Sequence, residues 1–79
     1  MRLAETEREL ATKTARFIKA ELKRSGVTYG ELARRLEVQG LQETEASITN
    51  KLARATVPAT FLLATLAALG MDGMKLGDL

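Results

Sequence analysis

The fold is decided by residues 26–41, which read GVTYGELARRLEVQGL. Thr28, followed three residues later by Glu31, matches a capping box, in which a helix begins directly after the threonine. Apolar residues then recur at the three- and four-residue steps of an amphipathic helix, namely Tyr29, Leu32, Ala33 and Leu36. Gly40 followed by Leu41 matches a helix C-cap, in which a left-handed glycine ends the helix and a hydrophobic residue follows it. This stretch predicts a helix over residues 29–39.

A longer helix is predicted upstream, over about residues 4–25. Its apolar face is formed by Leu3, Leu10, Thr14, Phe17, Ile18 and Leu22. Glutamates stand near its start and lysines and arginines near its end, as the helix dipole favours. Gly26 before Val27 fits a left-handed C-cap.

Two more helices are predicted downstream. The third takes Thr44 as its N-cap, buries Ile48 and Leu52, and ends near Arg54. The fourth has Pro58 in its first turn and stops at Gly70. It is apolar most of the way round, which favours a central position or a subunit interface. Residues 71–79 have no clear period, and two glycines there argue against a stable helix, although Met74, Leu76 and Leu79 can still pack against the core.

Length and composition agree with one all-α domain over residues 1–79, made of a long first helix, a core at residues 26–70 and a tail. Hydrophobic residues make up 46% of the 79, and only three residues are aromatic. The absence of cysteine and histidine excludes disulfides, zinc fingers, and thiol or imidazole catalysis. The sequence shows no catalytic set and no phosphate loop, so we expect no enzyme, metal, cofactor or small-molecule substrate.

The polar N-terminus and the short apolar stretch at residues 57–71 predict a cytoplasmic protein without a membrane span.

Positive charge is concentrated near the N-terminus. Residues 1–24 carry a net charge of +3, residues 25–56 none, and residues 57–79 a charge of −1. Steps of three and four place four cations on one side of the first helix, namely Lys13, Arg16, Lys19 and Lys23. Such a stripe can neutralise about four phosphates. Alternatively, it is a solvated face that balances Glu9 and Glu21.

The order of features from residue 27 resembles the helix-turn-helix core of the lambda repressor and Cro-like (XRE-type) regulators. In that group a threonine opens the second helix, Leu-Ala and Leu pack it, and a short Ser/Thr-capped helix follows. Residues 21–36 are also similar to a family of short uncharacterised bacterial proteins, and that resemblance covers about residues 15–70. The chain departs from the repressor pattern in three features: a longer link between Leu36 and Ile48, a third helix that lacks the usual closing glycine, and a longer first helix.

The resemblance implies a transcriptional regulator that places the start of its third helix in the major groove of duplex DNA. A homodimer is expected because the core is small, the first helix is long and the fourth helix is apolar most of the way round. By position, Thr44 would cap this helix, Glu45 and Ala46 would face bases first, and Thr49 and Asn50 would face them one turn later. An asparagine can bond an adenine through two hydrogen bonds, and Ala46 or Thr49 can contact a thymine methyl. The phosphate contacts would come from Tyr29, Arg34, Arg35, Lys51 and Arg54.

Several of these residues also have a structural interpretation. Thr44 and Glu45 suit a helix N-terminus without any DNA. Arg34 and Arg35 are solvated in that case, with Glu31 pairing to Arg35.

Asn50 and Lys51 are the best candidates for a contact with nucleic acid, because neither is predicted to cap a helix or to fill the core, so both are expected to lie outside the structural framework. The alternative function is a helical protein–protein interaction module that keeps the fold and does not bind specific DNA.

Overall fold

A computed structural model describes all 79 residues and contains four α-helices and no strand. The helices are α1 (Glu7–Ser25), α2 (Tyr29–Val38), α3 (Glu45–Arg54) and α4 (Ala59–Ala68). A 3-10 turn, Leu76–Asp78, follows near the C-terminus. The predicted all-α class, with four helices of which the first is the longest, is confirmed.

The start of α1 lies three residues after the predicted one because Thr6 is the N-cap. Its hydroxyl accepts a hydrogen bond from the backbone N–H of Glu9 at 3.1 Å. The residues before it are not helical, and the Lys13 ammonium donates to the Leu3 carbonyl at 2.6 Å. The end of α1 is as predicted: Gly26 is left-handed, with φ of 68°, and the Val27 N–H bonds the Leu22 carbonyl at 2.9 Å.

The predicted capping box of α2 is only half formed. The Thr28 hydroxyl accepts from the Glu31 N–H at 3.1 Å, but the Glu31 carboxylate turns to Arg34 and Arg35 instead of Thr28. The helix ends at Val38, one residue before the predicted end. Gly40 then adopts the left-handed conformation that the sequence predicts there.

The N-cap of α3 is Thr44, as predicted, and a complete capping box forms with Ser47. The Thr44 hydroxyl accepts from the Ser47 N–H at 3.0 Å, and the Ser47 hydroxyl accepts from the Thr44 N–H at 2.9 Å. At the other end Ala55 takes a left-handed conformation with φ of 55°, and the Thr56 N–H bonds the Lys51 carbonyl at 2.9 Å. This helix therefore ends in a glycine-type motif without a glycine.

One buried apolar cluster holds all four helices together. α2 packs against α3 and α4, and α1 packs against α3. The largest side chains that are almost completely buried in it are Ile18, Leu32, Leu36, Ile48, Leu52 and Phe61. Burial of each such side chain contributes about 1.5–3 kcal/mol. Ile48 and Leu52 are the contribution of α3, and they fix which side of that helix faces solvent.

The predicted central position of α4 is correct for one of its faces. Phe61 and Leu66 are buried, whereas Leu63 on the other side is 64% exposed. Pro58 is the N-cap residue and lies just before the first turn instead of within it. The hydroxyl of Thr65 is buried without a hydrogen-bond partner, an unfavourable feature of the core.

The C-terminal tail returns to the core through two of the three predicted side chains. Met74 and Leu79 are partly buried against the cluster, while Leu76 is 54% exposed. Residues 71–79 contain no α-helix, as the two glycines predict, and only the single 3-10 turn Leu76–Asp78 forms there. None of the helices combines the length and the apolar character needed to span a membrane.

Replacing Ala55 by glycine is expected to stabilise the protein. A left-handed conformation costs an alanine about 1–2 kcal/mol, and the half-buried methyl group returns only part of that cost. The free energy of unfolding in urea should rise by about 0.5–1 kcal/mol. The reverse change, Gly26→Ala at the left-handed end of α1, is the matched control and should lower it. A destabilised Ala55→Gly variant would contradict the assigned backbone conformation.

Candidate nucleic-acid interface

The residues of α3 that are predicted to contact bases are all exposed, and three of them share the side of the helix that faces away from the core. Ile48 and Leu52 are buried on the opposite side of this helix. The side chains left in solvent at its N-terminal half are Thr44, Glu45, Ala46, Thr49 and Asn50. At 3.6 residues per turn, Ala46, Thr49 and Asn50 share the side that faces away from the core, whereas Glu45 lies near the direction of Leu52 and reaches the start of α2. Both ends of the helix are closed by hydrogen bonds.

The hydrogen-bonding capacity of these side chains differs. Thr44 is occupied by its capping bonds with Ser47. The Thr49 hydroxyl donates to the Glu45 carbonyl at 2.9 Å, so its proton is used within the helix. Asn50 is exposed, and no hydrogen bond within the chain involves its amide. It is thus the one amide on this surface that keeps two donors and an acceptor available for a ligand.

Lys51 belongs to a small polar cluster that joins α3 to Glu43 in the loop before it. Its ammonium is 3.1 Å from a Glu43 carboxylate oxygen and lies 5.9 Å from the centre of the Phe61 ring. The Ser47 hydroxyl donates to the same Glu43 oxygen at 2.6 Å. The Lys51 side chain is 28% exposed and that of Glu43 only 10%. The interpretation that Lys51 lies outside the structural framework is therefore wrong, and its charge is already neutralised.

The two arginines of α2 are also paired. Glu31 accepts from Arg34 at 2.6 Å and from Arg35 at 3.1 Å. Arg35 further donates to the Ala68 carbonyl at 3.2 Å and so caps the end of α4. The predicted pairing of Glu31 with Arg35 is confirmed. The hydrogen bonds from Arg34 and then Arg35 lower the pKa of Glu31 below its usual value. The stability that this carboxylate contributes is present near neutral pH and is lost as the pH falls through the lowered pKa.

The start of α2, where Tyr29 was expected to bind a phosphate, carries a carboxylate. Tyr29 is half-buried and packs against the core. A Glu45 carboxylate oxygen lies 3.1 Å from the position that a Cβ on Gly30 would occupy. Gly30 therefore leaves room for Glu45, whose negative charge faces the positive end of the α2 dipole. A phosphate approaching the same end would have to displace this carboxylate.

Arg54 is the one cation of α2 and α3 without an ion pair. It is exposed in the last turn of α3, where a positive charge also suits the dipole. On α1, Arg16, Lys19 and Lys23 are exposed and unpaired, but Lys13 is bound to the Leu3 carbonyl. Since Arg24 pairs with Glu21, that glutamate does not balance the stripe. Lys13 keeps its positive charge but uses one of its three donors within the chain, whereas the other three cations of the stripe have no partner.

The remaining surface shows no other binding chemistry. No three potential metal-ligating side chains come together. The grooves are open to solvent, and the one between α1 and the tail has both cations and carboxylates in its walls.

Residues 10–74 match the protein family described as a domain of unknown function (DUF6471), and the match covers well over half of the chain. No curated protein matches this chain. No solved structure matches it.

The Glu43–Lys51 pair is expected to couple the loop before α3 to the helix itself. In a double-mutant cycle with Glu43→Gln and Lys51→Met, urea unfolding should give a coupling energy of about 1–2 kcal/mol, because the pair is largely shielded from water. The exposed pair Arg2–Glu5 supplies the control cycle, with an expected coupling near zero. Equal coupling energies in the two cycles would show that the Glu43–Lys51 pair stabilises the protein no more than an exposed ion pair does.

Proposed function

We propose that this chain, which belongs to the DUF6471 family, binds double-stranded DNA and acts as a small transcriptional regulator. In this proposal the exposed side of α3 enters the major groove and Asn50 makes the main base contact. The observation that carries the proposal is the combination of a rigidly held helix with an exposed, unbonded asparagine amide beside Ala46 and Thr49.

The rigidity of α3 supports this role because base readout requires a fixed side-chain position. Its apolar side is buried through Ile48 and Leu52, and its first turn is locked by the Thr44–Ser47 capping box. The Glu43–Lys51 pair adds a third attachment from the preceding loop. Asn50 therefore projects from a framework that binding need not reorganise.

A second candidate function is a protein–protein interaction module. The observation that favours it is the neutralisation of the cations near the proposed reading surface. Arg34 and Arg35 both pair with Glu31, Lys51 pairs with Glu43, and Glu45 is a carboxylate without an ion pair at the start of α2. A phosphate would be only weakly attracted to a surface of paired charges, whereas binding of a polar, uncharged protein surface does not depend on such attraction.

The proposed regulator acts as a homodimer, because a two-fold dimer sets two reading helices about 34 Å apart, one turn of DNA. Leu63 on α4 is 64% exposed and lies on the same helix as the half-buried Leu62 and Leu69. These side chains extend the apolar core toward solvent and provide the surface for a second copy.

Sedimentation equilibrium tests the dimer. The wild-type chain should sediment at twice its mass of 8.6 kDa, and Leu63→Glu should shift it toward the monomer, because a charge would be buried in the contact. Val38→Glu is the matched control, since Val38 is 83% exposed on α2 and should leave the mass unchanged. A wild-type monomer at micromolar concentration would rule out the dimer.

DNA binding is tested first with mixed-sequence duplexes at about 50 mM salt, where non-specific affinity at micromolar protein is expected. A preferred sequence is then selected from random duplexes. Asn50→Ala should weaken binding to that sequence by about 5- to 150-fold, the equivalent of losing about 1–3 kcal/mol of base discrimination. Binding to unselected duplex should stay the same, because phosphates supply it.

Gln39→Ala is the control for Asn50→Ala, since it removes an exposed amide at the end of α2. Arg54→Gln should weaken selected and unselected duplexes alike and reduce the salt slope by about one. Absence of binding to any duplex at low salt would exclude the DNA-binding function. In the interaction-module alternative, neither Asn50→Ala nor Arg54→Gln changes any affinity for DNA.

A further inference from the structure

The unpaired positive charge of this protein is concentrated on α1. Ion pairs occupy Arg2, Arg24, Arg34, Arg35 and Lys51. Lys13 is bound to a backbone carbonyl. The cations of the four helices that are left without any such partner are Arg8, Arg16, Lys19, Lys23 and Arg54. Four of these five lie on α1, far along the sequence from the proposed reading helix.

These four side chains form one continuous surface, which we call the α1 ridge (Arg8, Arg16, Lys19 and Lys23). At 3.6 residues per turn they fall within an arc of about 80° and extend over about 22 Å of helix. All four are exposed. The nearest acidic side chain along the arc, Glu9, accepts a hydrogen bond from the Glu5 N–H at 3.5 Å and pairs with none of them. No ion pair within the chain therefore offsets the repulsion among the four cations.

We infer that the α1 ridge binds the sugar-phosphate backbone of a nucleic-acid duplex and supplies most of the protein's affinity for phosphate. This inference rests on the proposed function and adds a second contact surface to it. A duplex carries about one negative charge per 1.7 Å of axis, so a ridge of this length meets phosphates along its whole extent. The paired cations of α2 and α3 contribute less, because a phosphate must compete with Glu31 for Arg34 and Arg35 and with Glu43 for Lys51.

A membrane surface is a poorer partner for the ridge. An amphipathic helix binds lipid by inserting its apolar face below the headgroups. The apolar face of α1 is used in the core, where Ile18 and Leu22 are almost completely buried. Only the charged side of the helix is available, and it holds no large apolar side chain among its cations. An electrostatic partner that needs no insertion, such as a duplex, fits this surface.

The expected size of the effect follows from counterion release. Four phosphate contacts give a slope of about −3.6 for log K against log salt, which is about a 150-fold loss of affinity between about 50 and 200 mM salt. Removing three of the four cations should make the slope less steep by about 2.7.

The test compares two triple variants of equal net charge. Arg16→Gln, Lys19→Gln and Lys23→Gln remove three ridge cations. Arg2→Gln, Arg24→Gln and Lys75→Gln remove three cations outside the ridge, of which the first two are paired. Binding to a labelled mixed-sequence duplex of about 30 base pairs is followed by fluorescence anisotropy from about 50 to 200 mM salt. The ridge variant should lose most of the salt slope and the control variant little of it. Thermal unfolding by circular dichroism checks that both are folded, and Lys19→Gln alone serves if the ridge triple variant is not.

Three results would overturn the inference. If a folded ridge variant still binds DNA with an unchanged slope of log K against log salt, the ridge does not contact the duplex, but the proposed DNA-binding function is not contradicted. Equal losses in the two variants would mean that net charge alone matters. A wild-type chain that binds anionic vesicles of phosphatidylserine and phosphatidylcholine, but no duplex, would exclude both the ridge contact and the DNA-binding function.

Discussion

The burial of Ile48 and Leu52 in the common core is the constraint on which the rest of the structure depends. These two residues are the only buried ones of α3, and they share one cluster with Leu32 and Leu36 of α2. Because they are one helical turn apart, their burial fixes the rotation of α3 about its axis. Asn50 and its neighbours are exposed as a direct consequence. The rotation of α3 therefore decides which of its side chains a ligand can reach.

The second organising feature is the separation of paired from unpaired charge. Glutamates in α2 and in the loop before α3 each hold their cations close, and in doing so they join elements of the fold. Glu31 fixes Arg35, which reaches the end of α4, and Glu43 fixes Lys51 beside the ring of Phe61. On α1, the cations Arg8, Arg16, Lys19 and Lys23 lack such partners. Charges near the reading surface thus serve the architecture, and charges on the long helix remain available for a ligand.

Most of the local structure could be predicted from short sequence signals. The left-handed ends at Gly26, Gly40 and Gly70 and the N-caps Thr28 and Thr44 follow from the chemistry of one or two residues each. The errors come where several local solutions compete. Ser47 and not a glutamate completes a capping box, and Ala55 closes α3 where a glycine is the usual choice. Neither choice is visible until the surrounding chain restricts the backbone.

The sequence by itself determined the all-α class, the order of four helices and the buried faces of α2 and α3, because helical periodicity and capping act over a few residues. The buried face of α4, which is apolar most of the way round, is visible only in the structure. Only the tertiary structure decided which charges are free. Lys51 meets Glu43 from eight residues away, Arg35 meets the Ala68 carbonyl from another helix, and Glu45 comes to lie over Gly30. Such contacts depend on how the helices pack, and no local pattern in the chain encodes them.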